Sequence, residues 1–505
     1  MNLTYKHFFQ AVVLTLLFLF QCVSADVAAG ASEHTHQESE KKHDTSPVSP
    51  EAVDLFNQAL LLVGDGKYQE SLKKYNEAIK INSQYAEAYY GRGRAYDKLG
   101  NKRQAISDYS KAISLNPAYG EAYYYRGNTY DDLGERKRAI ADFSKTIEID
   151  PGHADSYNNR GMEYSTLGEK RRAIEDFSKA IEIRPLHADA YNNRGAAYSA
   201  LGDKGRAIKD YDRAIEINPR YTQAYSNRGS AYDAQGDRAR AIKDYDKAIE
   251  INPGFAEAYN NRGNAFAAQG DRARAIKDYD KAIELNPKSA KGYNNRGSVY
   301  YGLGDKRQAI RDYDKAIELD PKYAKAYNNR GSAYYGMADT RRAIKDYDKA
   351  IELDPKLAEA FSNRGNAYDA LGDKRQAIED YSKAIKINPK YAEAYYNRGN
   401  AHDDTGAREK AIKDFDKAIE IKPKYAAAYY NRGVVHFNLG DKRRAIEDYS
   451  RAIEVNPEYA RAYYSRGKVH LELGDSQKAM DDWKRAAKLG DRGAQRYLHE
   501  KGITW

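Results

Sequence analysis

The sequence predicts an all-α solenoid, a stack of short helical hairpins that share one continuous core. Three observations predict it. The stretch 52–493 repeats every 34 residues, giving thirteen copies in one unbroken register. Within each copy, apolar and small residues recur at helical spacing in two runs, divided by glycine and closed by proline. The composition is that of one short unit copied many times, with 46 Tyr against 12 Phe and 2 Trp, and a single Cys. A chain of 505 residues has room for several globular domains, but an internal period overrides that expectation.

Copy seven, residues 256–289, reads AEAYNNRGNAFAAQGDRARAIKDYDKAIELNPKS. Its first fourteen positions place Ala256, Tyr259, Gly263 and Phe266 on one stripe at helical spacing. Gly270, at position 15, breaks that helix. The second run turns Ala275, Ile276, Tyr279, Ala282 and Ile283 inward and stops at Asn286-Pro287, because proline disfavours helix at the residue before it. One such hairpin buries too little surface to stand alone, so copies must stack. Gly263 and its counterparts are small because two helices approach closely there, and the aromatic at position 24 fills the space they leave.

The pattern of Gly or a small residue at position 8, Tyr at 11, Ala at 20, an aromatic at 24, Ala at 27 and Pro at 32 resembles the tetratricopeptide repeat. The resemblance covers nearly the whole chain and implies a right-handed superhelical solenoid of helix-turn-helix units. Departures are few. The first copy has Ser71 and Ser83 where Ala and Pro belong, and the ninth has Ala338 in place of Gly. Residues 494–505 are expected to form a C-terminal capping helix whose outer side carries Gln495, Arg496, Glu500 and Lys501.

Lys6 and His7 precede an uncharged, mostly apolar run over 11–20, which ends before the small-residue site Val23-Ser24-Ala25. This is the layout of a secretory signal peptide, residues 1–25, cleaved near Ala25, and it predicts a secreted or periplasmic protein. The run falls short of the ~20 residues a membrane span needs. An uncleaved leader would instead anchor the chain to a membrane. The only cysteine, Cys22, lies in this leader, so the mature chain would hold no thiol and no disulfide. Its flanking Leu19-Phe20-Gln21 fits a lipoprotein signal poorly. Residues 26–51 are polar, contain Pro47 and Pro50, and read as a disordered linker. Its His34, His36 and His43 read as polar filler, not as a metal site.

The net charge of +9 comes from 83 basic against 74 acidic residues, with both signs recurring every few positions. Nucleic acid needs one sign gathered on one face, so it is not an expected partner. Catalysis is not expected either: the mature chain has no Cys nucleophile, no GxxxxGK phosphate loop and no metal-ligand spacing. No cofactor follows.

First-helix positions 2, 5, 6, 9, 12 and 13 fall within one arc, which in tetratricopeptide arrays lines the concave groove. Position 6 is Asn in nine successive copies, Asn159, Asn193, Asn227, Asn261, Asn295, Asn329, Asn363, Asn397 and Asn431. An amide both donates and accepts, so it pairs with either group of a peptide unit. The row is similar to the asparagine ladder of the O-GlcNAc transferase superhelix, which implies a grip on the backbone of extended peptides. Duplication alone would also preserve idle, solvated asparagines, and the residues do not separate the two readings. Position 5 becomes tyrosine toward both ends, at Tyr90, Tyr124, Tyr396, Tyr430 and Tyr464, while Tyr301 and Tyr335 occupy position 12 midway. Tyrosine suits binding surfaces. Asp97, Asp131, Asp132, Asp233, Asp369, Asp403 and Asp404, at positions 12 and 13, predict attraction for basic or polar ligands at the two shoulders.

Position 5 is never Lys, so the carboxylate clamp of chaperone-binding members is incomplete. His402, His436 and His470 share position 11 in consecutive copies, one repeat apart, too far for one zinc ion. They read as replacements of a core tyrosine. Arg at position 7 and Asp at position 23 occur together in copies two to thirteen, which predicts a structural ion pair inside each hairpin. The resulting expectation is a non-catalytic scaffold for proteins or extended peptides. The alternative is an accessory subunit that presents substrates to a separate envelope enzyme or export machine.

Overall fold

The computed structural model describes residues 48–505, so the expected leader and most of the linker lie outside the described residues. The described residues divide into two compact units, 48–115 and 116–505.

In both units the 34-residue register becomes alternating helices. Copy seven supplies helices Ala256–Ala268 and Arg272–Leu285, and the other copies follow the same positions. Position 15 sits in the left-handed region, Gly270 at φ 84°, where a residue without Cβ carries no penalty. In copy nine Ala338 is forced to φ 63°, and its first helix, Ala324–Tyr335, ends one residue early. An aspartate at position 16 caps many second helices; Asp271, for instance, accepts the Arg274 amide at 3.0 Å.

Unit 48–115 holds two hairpins. The first helix, Pro50–Gly64, begins inside the stretch expected as linker, because the Ser49 hydroxyl caps the Ala52 amide at 3.2 Å and proline is tolerated in a first helical turn. Tyr75 is buried among Ala59, Leu72 and Ala95, which links copies one and two. Copy two has Gly91 at position 6 because a Cβ there would lie 2.7 Å from the Tyr75 ring.

Unit 116–505 stacks the remaining eleven copies. A typical core cluster joins Phe266, Ala275 and Tyr279 of copy seven to Val299 of copy eight, so each hydrophobic layer is shared between consecutive hairpins. A Cβ on Gly263 would meet the Tyr279 ring at 2.8 Å. The buried face of the first helix is rotated from the stripe read in the sequence. Ala258 and Ala265 are fully buried, while Ala256 and Tyr259 are half-buried. A first helix packs against its own second helix and against the neighbouring hairpin, and a single stripe describes only one of these contacts.

The last helix, Arg492–Glu500, starts two residues ahead of the expected cap. Asp491 caps it at the Ala494 amide, 2.8 Å away. Ala494 and Leu498 cover Trp483, Ala486 and Ala487. Gln495 turns partly inward, donating to the Ala487 carbonyl at 3.0 Å, whereas Arg496, Glu500 and Lys501 face solvent. Among the described residues no helix is long and apolar enough to cross a membrane.

Candidate functional site

Two rows of polar side chains run from copy to copy, and the first explains the Arg-Asp pattern. Arg262 donates through Nε and Nη2 to both oxygens of Asp278, at 2.8 and 2.7 Å. Its remaining Nη1 reaches Asp246 of the preceding copy at 2.5 Å, and the guanidinium lies 5.6 Å from the centre of the Tyr259 ring. The pairing to position 23 recurs from Arg92–Asp108 to Arg466–Asp482. The paired carboxylates hold the Arg262 pKa above its usual range despite burial. Sequence spacing anticipates the bond within the hairpin but not the third arm, which staples one hairpin to the one before it.

The second row is the asparagines. The position-6 side chains are all half-buried, but position 5 is not open groove: Asn158, Asn192, Asn260, Asn294 and Asn328 are buried. The two positions bond to each other across repeats. Asn193 donates to Asn158 of the preceding copy at 3.0 Å, Asn227 to Asn192 at 2.9 Å, Asn295 to Asn260 at 3.1 Å, Asn329 to Asn294 at 3.0 Å and Asn363 to Asn328 at 3.0 Å. Where position 5 is tyrosine its hydroxyl serves instead, as from Asn159 to Tyr124 at 3.4 Å and Asn431 to Tyr396 at 3.0 Å. The ladder is therefore not idle, because its amides bond one copy to the next.

The nine rungs are not equivalent. Asn159, Asn295, Asn363 and Asn431 each direct a second bond to position 9 of the preceding copy, at Asn128, Asn264, Ser332 and Asn400, so both amide hydrogens are engaged. Asn193, Asn227 and Asn329 make one donation each, and Asn397 makes one, to Asn366 at 2.9 Å. At Asn261 the preceding position 5 is Ser226, whose hydroxyl is buried without a partner among the described residues, and no described side chain accepts the Asn261 amide hydrogens.

The tyrosines divide similarly. Tyr124 packs against His153 and Phe143 with ring centres 4.7 and 6.0 Å away, Tyr396 against Tyr425 at 4.9 Å, Tyr430 against Tyr459 at 5.1 Å and Tyr90 against Tyr109 at 6.1 Å. Tyr464 lies against the C-terminal cluster. Tyr335 is half-buried, with its hydroxyl 3.4 Å from the Asn366 carbonyl. Tyr301 is the exposed one, at 38%.

The aspartates at positions 12 and 13 do not make the face broadly acidic. Position 17, five residues beyond position 12 and across the turn, supplies cations: Asp97–Lys102 and Asp369–Lys374 at 2.9 Å, Asp233–Arg238 at 3.6 Å, Asp131–Arg136 at 3.7 Å and Asp403–Arg408 at 3.9 Å. The spacing D-x4-K/R carries that signal in the sequence. Glu163 was not singled out by sequence either. It stands at position 10, otherwise Ala, Val or Thr from copy two onward, and is 2% exposed beside Arg136 at 3.1 Å. Burial, with the Asp131 carboxyl close by, raises its pKa to about 7. His436 is buried and His402 half-buried, and burial lowers the pKa of His402 and His470. No group of metal-ligating side chains occurs among the described residues.

Stacked hairpins, a saturated Arg-Asp staple and a partly unsatisfied amide row define a helical-repeat scaffold. The family model described as tetratricopeptide repeat matches residues 86–119, 120–153, 154–186, 188–221, 290–323, 324–357, 358–391 and 426–459, together more than half of the chain. Further models, TPR repeat and a second tetratricopeptide repeat, match 59–100, 229–270, 263–304 and 404–440, and 449–481. The chain belongs to the tetratricopeptide-repeat family. No curated protein matches it. Among solved structures it is similar in fold to "Crystal structure of APC/C hetero-tetramer Cut9-Hcn1", with TM-score 0.51 and 14% identity over 90% of this chain and 96% of that one. The chain described as "Crystal structure of MamA protein" is 33% identical over 34% of this chain and 94% of that one, with TM-score 0.30.

Proposed function

We propose that this chain is a non-catalytic interaction scaffold, exported from the cytoplasm, whose first-helix face holds an extended polypeptide along the asparagine row. The observation that carries the reading is the hydrogen-bonding capacity left over. Asn193 donates once to Asn158 and accepts once from Asn192 at 3.4 Å, which leaves one N–H and one lone pair on a side chain already fixed in place. Asn329 repeats this arrangement with Asn294 and Asn328. One donor beside one acceptor is what a peptide unit requires, and a carboxamide oriented by its neighbour loses little entropy on binding. Because backbone is common to all sequences, the row alone gives loose specificity. Each amide–backbone bond nets only about 1 kcal/mol, so several must act together.

The test replaces Asn193, Asn227, Asn261 and Asn329 by Ala together and measures binding of a panel of fluorescent, unstructured peptides by anisotropy. Helicity at the assay temperature is checked by circular dichroism. Affinity is expected to fall by roughly fivefold per residue removed. Undiminished binding by the folded variant would move the contact surface to the second helices. Export is tested separately by amino-terminal sequencing of secreted or periplasmic material, with a start near Asp26 expected; Met1 intact in a cytoplasmic fraction would contradict it.

A further inference from the structure

In four places an asparagine at position 9 accepts from the position-6 asparagine of the following copy: Asn128–Asn159 at 2.9 Å, Asn264–Asn295 at 3.1 Å, Asn366–Asn397 at 2.9 Å and Asn400–Asn431 at 2.7 Å. The cations at position 17 of the four leading copies are Arg136, Arg272, Lys374 and Arg408. In three of them this chain supplies the counter-charge. Arg136 meets Glu163 at 3.1 Å and Asp131 at 3.7 Å, Lys374 meets Asp369 at 2.9 Å and also Asp404, and Arg408 meets Asp403 at 3.9 Å.

Arg272 differs. Its position 12 is Ala267, where the other three sites have Asp131, Asp369 and Asp403, and position 13 of the next copy is Gly302, where Lys374 meets Asp404. It is exposed and makes no ion pair among the described residues. A Cβ on Gly302 would lie 3.9 Å from its Nε, so the guanidinium lies over a glycine with space around it. Asn264, Ala267, Arg272, Tyr279, Asn295 and Gly302 line a depression of about 320 Å³.

The hydrogen-bonding groups left over here are mainly donors, apart from one lone pair of Asn295, whose oxygen accepts from Asn294 at 3.4 Å. The Asn264 oxygen already accepts from the Tyr279 hydroxyl at 2.8 Å and from Asn295, while no side chain accepts its own amide hydrogens. Asn261 is in the same condition one turn earlier, and Arg272 adds a guanidinium with five N–H groups. One copy further on, Lys306 has Tyr301 where an aspartate would pair it, and its ammonium rests on the Gly336 carbonyl. A donor-rich, acceptor-poor and positively charged depression calls for an anionic acceptor of matching planar geometry.

We propose that Arg272, with Asn264 beside it, binds an Asp or Glu side chain of the polypeptide, so the middle of this face selects acidic segments. The inference rests on the peptide-binding reading above and gives the middle copies seven and eight a preference opposite to the one for basic or polar ligands expected at the two shoulders.

The test is selection of twelve-residue peptides from a random displayed library on the full chain, on Arg272→Glu and on Arg408→Gln. Peptides selected on the parent are expected to be enriched in Asp and Glu at one position. Arg272→Glu should abolish that enrichment and weaken the best parent peptide by about tenfold or more. Arg408→Gln, which removes a paired cation at the equivalent position, should leave the enrichment intact. Binding without acid enrichment, or enrichment unchanged in Arg272→Glu, overturns this proposal while leaving the peptide-binding reading standing. If no peptide is selected by the parent chain, both fail.

Discussion

The Arg-Asp staple and the asparagine ladder both repeat with the same 34-residue period and both carry bonds from one hairpin to the one before it, as from Arg262 to Asp246 and from Asn295 to Asn260, yet they end in opposite states. Arg262 uses Nε, Nη1 and Nη2 on two carboxylates of its own chain, and Asp278 is only 5% exposed. The asparagines are neutral, half-buried and unevenly satisfied, from both hydrogens engaged at Asn295 to none at Asn261. Periodicity marks both rows and so does not separate structure from function. Unspent hydrogen-bonding capacity does separate them.

The largest effect is expected on the saturated row. Arg262→Leu leaves Asp278 buried without its partner, at a cost of about 3–5 kcal/mol. Urea unfolding should show that loss without any change in peptide affinity for the folded protein. A mild effect on stability, or a large one on affinity, would erase the contrast between the rows.

Glu163 sharpens the comparison by showing a buried charge outside both repeating networks. Its folded-state pKa of about 7 lies above that of a free glutamate, so the folded chain holds the extra proton where the unfolded chain does not. Stability from this group is present at low pH and is lost as pH rises from about 4.5 through 7. Glu163→Ala should flatten the fall in stability across that window, read from urea midpoints between pH 4 and pH 8. An unchanged slope would show that the carboxyl is not buried as the structure places it.

Within the ladder itself the predicted effects are smaller and differ between neighbours. Asn329→Ala removes the donor that satisfies buried Asn294 and should cost about 1–2 kcal/mol, whereas Asn261→Ala removes only the oxygen that accepts from Asn260 at a long 3.4 Å and should cost less. Equal costs in paired melting curves would mean the rungs are interchangeable after all. Smallest and opposite in sign, Ala338→Gly relieves the left-handed alanine and should stabilise by about 1 kcal/mol. A loss of stability there would show that the turn is held by something other than backbone preference.

Much of this architecture is legible in the sequence because the repeat displays each rule many times. Gly270 ends a helix, Pro287 ends the next, and Gly263 faces Tyr279, all as spacing predicts. The bond from Arg262 to Asp278 is legible too, since both lie in one hairpin. What was not legible depends on how hairpins stack. The third arm of Arg262, the burial of position 5 and the bonding of Asn193 to Asn158 all cross from one copy to the next. The neutralised aspartates are readable from D-x4-K/R, and Ala267–Arg272 is one of several pairs that depart from that pattern.

The most direct test of peptide capture on the first-helix face is photo-crosslinking from that face. Benzoylphenylalanine would replace exposed Tyr301 in one variant and Glu284, an exposed second-helix residue, in another. With a biotinylated peptide selected on the parent chain, the account predicts strong adducts from position 301 and background levels from position 284. Adducts from 284 with none from 301 would contradict it.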